Sequence, residues 1–138
     1  MAGQLSINHG VDLSDMSLKF GIGIFPHEER QSTAEVMGAI QVAEETGFSH
    51  AWKGDSQSIF HDPYVTLAIC AKETSTIQLG TAVTTPIARH PAVTARAFAS
   101  LDEVSDGRAI LGIGAGDTTC LHLGVKPASI KVLEDAIT

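Results

Sequence analysis

The sequence predicts an α/β fold of repeated βα units around a parallel sheet. Three observations carry this reading. Short apolar runs begin near residues 18, 48, 77 and 109, at almost even spacing. Helix start signals or helical apolar faces follow them. The clearest runs are apolar at nearly every position, as strands buried on both faces are, and do not alternate as a half-exposed strand would.

The first run, "LKFGIGIF" (Leu18 to Phe25), leads into the polar loop "PHEERQ". Ser32 and Glu35 then form an S-x-x-E capping box. Val36, Ala39, Ile40 and Ala43 share one helical face, and Gly47 supplies the stop. Phe48 to Trp52 is a second, weaker strand. Asp62-Pro63 joins an N-cap to a proline at the first helical position. The helix it opens, near Tyr64 to Thr74, carries Val65, Ala68, Ile69 and Ala71. "IQLGTAVT" (Ile77 to Thr84) is a third strand. After "TPIARHP" a third helix covers about Ala92 to Val104 and closes on "SDGR". "AILGIG" is the fourth strand, and a fourth helix starts within "KPASIKVLEDAIT".

Composition bounds the function. The chain has 138 residues, 43% of them apolar and 18% charged, which fits one globular domain with a real core. Net charge is −7 with Lys and Arg scattered, which argues against nucleic acid as a partner. Cys70 and Cys120 form no metal or redox spacing and read as small buried hydrophobes. His9, His27, His50, His61 and His122 show no ligand spacing, so no metal is expected. No run is long enough for a membrane span, and residues 1–17 lack the apolar centre of a signal peptide. A cytoplasmic protein is expected, with a flexible N-terminal extension over 1–17 and one domain over 18–138.

"RAILGIGAGD" (Arg108 to Asp117) poses the main question. A dinucleotide turn needs G-x-G-x-x-G opening a helix directly. Here Asp117 stands where the third glycine should be, and the next helix is expected only around Pro127. The alternative is the end of a barrel strand, where glycines admit a ligand close to the backbone. All four strands end in polar residues: His27 and Glu28, then Asp55, Ser56 and Gln57, then Thr84 and Thr85, then Asp117. Polar groups at equivalent strand ends favour the barrel.

The segments "LKFGIGIF", "WKGDSQSIFHDPYVTLA", "IQLGTAVTTPIARHPAVTA", "LDEVSDGRAILGIGAGD" and "LGVKPASI" span nearly everything from Leu18 onward. In them the chain resembles the N-terminal half of the luciferase-like flavin- and F420-dependent oxidoreductases. The resemblance is strongest to the F420-dependent branch that includes methylenetetrahydromethanopterin reductases. It implies four units of a (β/α)₈ TIM barrel, and hence a truncated half-barrel.

The resemblance also implies roles. Ala82–Val83 matches a non-prolyl cis peptide in a third-strand bulge that supports one face of the flavin or deazaflavin ring. Asp55 matches an acidic residue beside that ring. Many F420-dependent members follow it with histidine, where this chain has Ser56 and Gln57. A serine can hydrogen-bond the ring or substrate but is no acid near neutral pH. Asp117 matches a carboxylate that approaches ring or substrate, a general acid if burial raises its pKa and a loop cap otherwise. Asp55, Ser56 and Asp117 are thus the catalytic candidates. Gln57, Ala82, Val83, Thr84, Gly114, Ala115 and Gly116 are the cofactor-binding candidates. His90, just before Pro91 at a helix start, reads as a cap, and Trp52 as core.

The implied activity is hydride transfer between F420 and a small or pterin-like substrate. An FMN-dependent monooxygenase is the alternative, and a half-barrel without activity of its own is a third. Largely apolar edge strands without prolines also predict a homo-oligomer.

Overall fold

The computed structural model describes residues 18–25 and 32–138. The expected extension over 1–17, and His27 and Glu28, lie outside those residues. The elements run β1 (Gly21–Ile24), α1 (Thr33–Glu45), β2 (His50–Lys53), α2 (Pro63–Lys72), β3 (Gln78–Thr81), α3 (Pro91–Val104), β4 (Ala109–Ile110), α4 (Asp117–Leu123) and α5 (Ile130–Ile137). The strands form one sheet in the order β1-β2-β3-β4, and every pairing is parallel. A dinucleotide-binding sheet reverses strand order at its binding crevice. This sheet does not, which rejects that fold.

Local sequence starts the first three helices as expected. Ser32 Oγ accepts from the Glu35 amide at 3.2 Å, while Glu35 Oε2 accepts from the Ser32 amide at 2.7 Å. Asp62 Oδ1 accepts from the Tyr64 and Val65 amides. His90 Nδ1 accepts from the Ala92 amide at 3.2 Å, the cap anticipated for it. Each cap satisfies amides that the first helical turn leaves without partners.

Side chains alternate across the sheet. Ile24, Ala51 and Leu79 face the helices, where they meet Val36, Ile40, Leu67, Cys70 and Leu101 in one core. Both cysteines are free and buried, and burial raises the Cys70 thiol pKa to about 11. Trp52 points from the opposite face and lies flat over the neighbouring strands. A Cβ on Gly21 would stand 2.7 Å from its Nε1, and one on Gly80 would stand 2.5 Å from its Cζ3. The half-buried indole stacks on His50 at 5.8 Å.

Two side chains lock the N-terminal edge of the sheet. Glu44 on α1 accepts from the amides of Ser75, Thr76 and Ile77 ahead of β3. Arg108 donates to the carbonyls of Ala71, Thr74, Ile77 and Ser105, tying α2, β3 and α3 to the start of β4.

The structure corrects one element. A helix, α4, opens at Asp117, ten residues before the Pro127 region where the next one was expected. Its seven residues, "DTTCLHL", have little helical preference, and its N-cap position is Gly116, which offers no side-chain cap. Tertiary burial of Thr119 and Cys120 holds it instead. The helix expected near Lys126 is therefore α5, capped by Ser129 Oγ. Among the described residues no helix is long and apolar enough to cross a membrane.

Candidate functional site

Because all four strands are parallel, their C-terminal ends share one edge. A cavity of about 400 Å³ opens there, within the roughly 300–1,000 Å³ of small-molecule sites. Gly54, Asp55 and Ser56 beyond β2 form one wall, and Ala82 and Val83 beyond β3 another. Ala115 to Thr119, entering α4, close the third side, with Phe25 and Phe60 completing the lining.

The β3 wall departs from a regular ladder. The Ala82 amide donates to the Lys53 carbonyl, and pairing resumes on the other neighbour when the Thr84 amide donates to Gly112 O, both at 2.9 Å. Val83 lies between these bonds, half exposed towards the cavity. The Ala82–Val83 peptide is cis. The glycines of "LGIGAG" make room for this bulge. A Cβ on Gly112 would fall 1.9 Å from the Thr81 carbonyl oxygen, and one on Gly114 would fall 2.8 Å from Val83 Cγ2.

Asp55 is buried and held from three sides. Thr84 Oγ1 donates to its Oδ2 at 2.7 Å, Gln57 Nε2 donates to its Oδ1 at 2.8 Å, and Thr119 Oγ1 donates to its backbone carbonyl at 2.8 Å. Burial raises the Asp55 pKa. The Thr84 hydrogen bond and the Arg89 and Lys53 charges oppose this, but a net rise survives. Such a carboxyl can hold and release a proton nearer neutrality than a free one. Ser56 is 5% exposed, and its hydroxyl has no hydrogen-bond partner among the described residues.

The structure therefore brings Asp55, Ser56, Ala82, Val83, Ala115, Gly116 and Asp117 to one cavity. Thr84, Gln57 and Gly114 stand behind its walls: Thr84 and Gln57 hold Asp55, and Gly114 packs under Val83. Asp117 is exposed on the first turn of α4, without the burial that the general-acid reading requires. Phe25, Phe60, Thr118 and Thr119 were not anticipated at the cavity. Lys53, which ends β2 next to the cavity wall, is only 2% exposed, with its ammonium 4.5 Å from the centroid of the Phe60 ring. Burial lowers the Lys53 pKa, opposed by the Asp55 charge. The two phenylalanines carry a weak signal, since both lie in the resemblance segments, but nothing in their spacing marks them as lining.

The luciferase-like monooxygenase family matches residues 14–122 of this sequence. The chain belongs to that family. Its relatives include F420-dependent oxidoreductases. It is 39% identical over 105 residues to the F420-dependent hydroxymycolic acid dehydrogenase of Mycobacterium tuberculosis, covering 70% of this chain and 29% of that one. The coenzyme F420-dependent tetrahydromethanopterin reductase of Methanopyrus kandleri superposes with a TM-score of 0.70 at 37% identity, over 77% of this chain and 30% of the reductase. The FMN complex of the oxygenating constituent of 3,6-diketocamphane monooxygenase from Pseudomonas putida gives 0.75 at 18% identity, over 88% and 38%. That last likeness concerns the fold alone. The chain thus spans about three tenths of the length of the F420-dependent relatives, and its fold is the matching part of a luciferase-like barrel.

Proposed function

We propose that these four βα units supply the ring-binding half of an F420-dependent oxidoreductase that transfers hydride to or from a small or pterin-like substrate. The observation that carries this is the convergence of a buried, proton-ready Asp55, the Ser56 hydroxyl, unpartnered among the described residues, and the Val83 bulge on one cavity. The F420-dependent relatives at 37–39% identity support the choice of cofactor.

The residues fit such a group. A planar ring needs a flat support, open backbone and a few directed polar atoms. Val83 offers the support, Ala115 and Gly116 the backbone, and Ser56 Oγ a free hydrogen bond. When bound, the deazaflavin supplies or accepts the hydride. The chain's own residues do the remainder. Val83 and Phe60 restrict where the ring can lie, Ser56 fixes its orientation, and Asp55 takes up or returns the proton that accompanies the hydride. Replacement of histidine by Ser56 leaves Asp55 as the buried acid–base group on this wall.

The test is anaerobic turnover of the polypeptide that carries these units, followed by loss of the reduced cofactor. Oxidation of reduced F420 coupled to substrate reduction, abolished by Asp55→Asn, is the expected result. Turnover with reduced FMN and oxygen, and none with F420, would favour the monooxygenase reading, which membership of the luciferase-like monooxygenase family keeps in view. Among the described residues β1 and β4 each have a single strand neighbour, and from this we infer that the chain self-associates. Sedimentation at micromolar concentration should show a dimer or larger, and a lone monomer would refute it.

A further inference from the structure

We propose that Tyr64 is a positioning residue that acts through Thr84 on the Asp55 carboxylate, an inference that rests on the cavity being the cofactor site. Tyr64 follows the Asp62-Pro63 cap at the start of α2 and is 7% exposed. Its hydroxyl donates to Thr84 Oγ1 at 3.2 Å, and Thr84 donates onward to Asp55 Oδ2 at 2.7 Å. Thr84 is fully buried, so solvent does not compete for its hydroxyl.

A threonine hydroxyl has one proton. While Tyr64 donates into its lone pair, that proton is committed to Asp55, and the chain of hydrogen bonds has a single direction. It ends correctly only on an acceptor. A proton placed on Oδ2 would confront the Thr84 proton. The chain therefore reserves Oδ2 as an acceptor. Among the described residues Oδ1 meets only the Gln57 amide at 2.8 Å, a donor on an exposed side chain that can turn away, so Oδ1 is the oxygen left to exchange a proton with the site.

Tyr64 is itself fixed by groups outside the cavity. Its ring meets Phe98 edge to face at 6.0 Å, and the Arg89 guanidinium lies 4.5 Å from its centroid. Arg89 is in turn paired with Asp62 at 2.6 Å. The charged groups acting on Asp55 are Arg89 from the β3–α3 loop, Asp62 from the α2 cap and Lys53 from β2; Asp117 faces the same cavity from α4. Tyr64→Phe keeps the ring and all of these charges, and removes only the donor.

The experiment follows the Asp55 side-chain carboxyl by ¹³C NMR through a pH titration of the 138-residue chain, in wild type, Tyr64→Phe, Thr84→Val and Thr84→Ser. Tyr64→Phe is expected to raise the Asp55 midpoint by roughly half a unit or more, with Thr84→Val at least as large. Thr84→Ser, which keeps the hydroxyl, should return it towards wild type. Thermal unfolding of each variant separates this shift from loss of fold, and Tyr64→Phe with Thr84→Ser decides the matter if Thr84→Val does not fold. An unchanged or lowered midpoint in Tyr64→Phe would overturn the proposal. The titration needs no cofactor, so its failure and a failure to bind F420 are separate results.

Discussion

Thr84 Oγ1 and Asp55 Oδ2 stand 2.7 Å apart, joining residues 29 positions apart in sequence at the ends of adjacent strands. The bond holds a buried carboxyl in the cavity wall, where water does not fully solvate it, and desolvation wins over the hydrogen bond in setting its pKa.

Stability should therefore trade against acid–base readiness at this position. A carboxyl whose pKa is raised on folding contributes stability below its unfolded value and loses it as pH rises through the folded value. At pH 7 ionised Asp55 is thus a cost to the fold. Asp55→Asn removes that cost and can still accept from Thr84 through its amide oxygen. Urea unfolding should show the variant at least as stable as wild type at pH 7, with the advantage disappearing near pH 4. Activity should fall by at least about a hundredfold.

The glycines that follow β4 should differ in tolerance according to what they face. Gly112→Ala drives a methyl group into the Thr81 backbone carbonyl at 1.9 Å, which cannot yield without disturbing the end of β3. A loss of about 3 kcal/mol or more is expected. Gly114→Ala meets a Val83 methyl at 2.8 Å, and a side chain can move. About 1–2 kcal/mol is expected there, with Val83 displaced into the cavity. Chemical denaturation of both variants checks the order, and equal losses would contradict it.

Acid should release the α1–β3 clasp. Burial alone would raise the Glu44 pKa, but the amides of Ile77, Thr76 and Ser75 and the Thr76 hydroxyl bring it from 4.5 to about 2. A depressed carboxyl contributes stability above its unfolded pKa and loses it as pH falls through the folded one. The contribution, about 2 kcal/mol after allowing for solvent screening, is present at pH 7 and fades between about pH 4.5 and 2. Glu44→Gln should lower the unfolding midpoint at pH 7 and match wild type near pH 2. A constant difference across that window would show that the charge is not responsible.

Much of the fold was legible because its signals are local. The Ser32–Glu35 box, Asp62-Pro63 and His90-Pro91 each state a helix start in a few residues, and the even strand spacing states the repeat. The α4 helix was not legible because burial of Thr119 and Cys120, not propensity, creates it. At the site, the strand-end pattern pointed to Asp55 and Ser56, while their roles and the Ala82–Val83 bulge came from the resemblance. The roles of Thr84, Gln57 and Gly114 as supports did not, because which strand-end residue faces a cavity and which stands behind it depends on the bulge. Lys53 was missed for a similar reason. It occupies a helix-facing position in β2 where an apolar residue fits the pattern, and packing against Phe60 with the nearby Asp55 charge accounts for a cation there.

Amide-resolved NMR titration of the 138-residue chain with oxidised F420, and in parallel with FMN, tests most directly whether the cavity at the strand ends receives the ring. Binding by this chain is expected to be weak, so cofactor is added to millimolar concentration. Ser56, Val83, Ala115 and Gly116 should shift together and saturably, more strongly with F420, and Ser56→Ala should weaken the response while leaving the fold intact. Shifts confined to the opposite edge around Phe48 and Gln78, or none at the strand ends with either cofactor, would contradict the assignment.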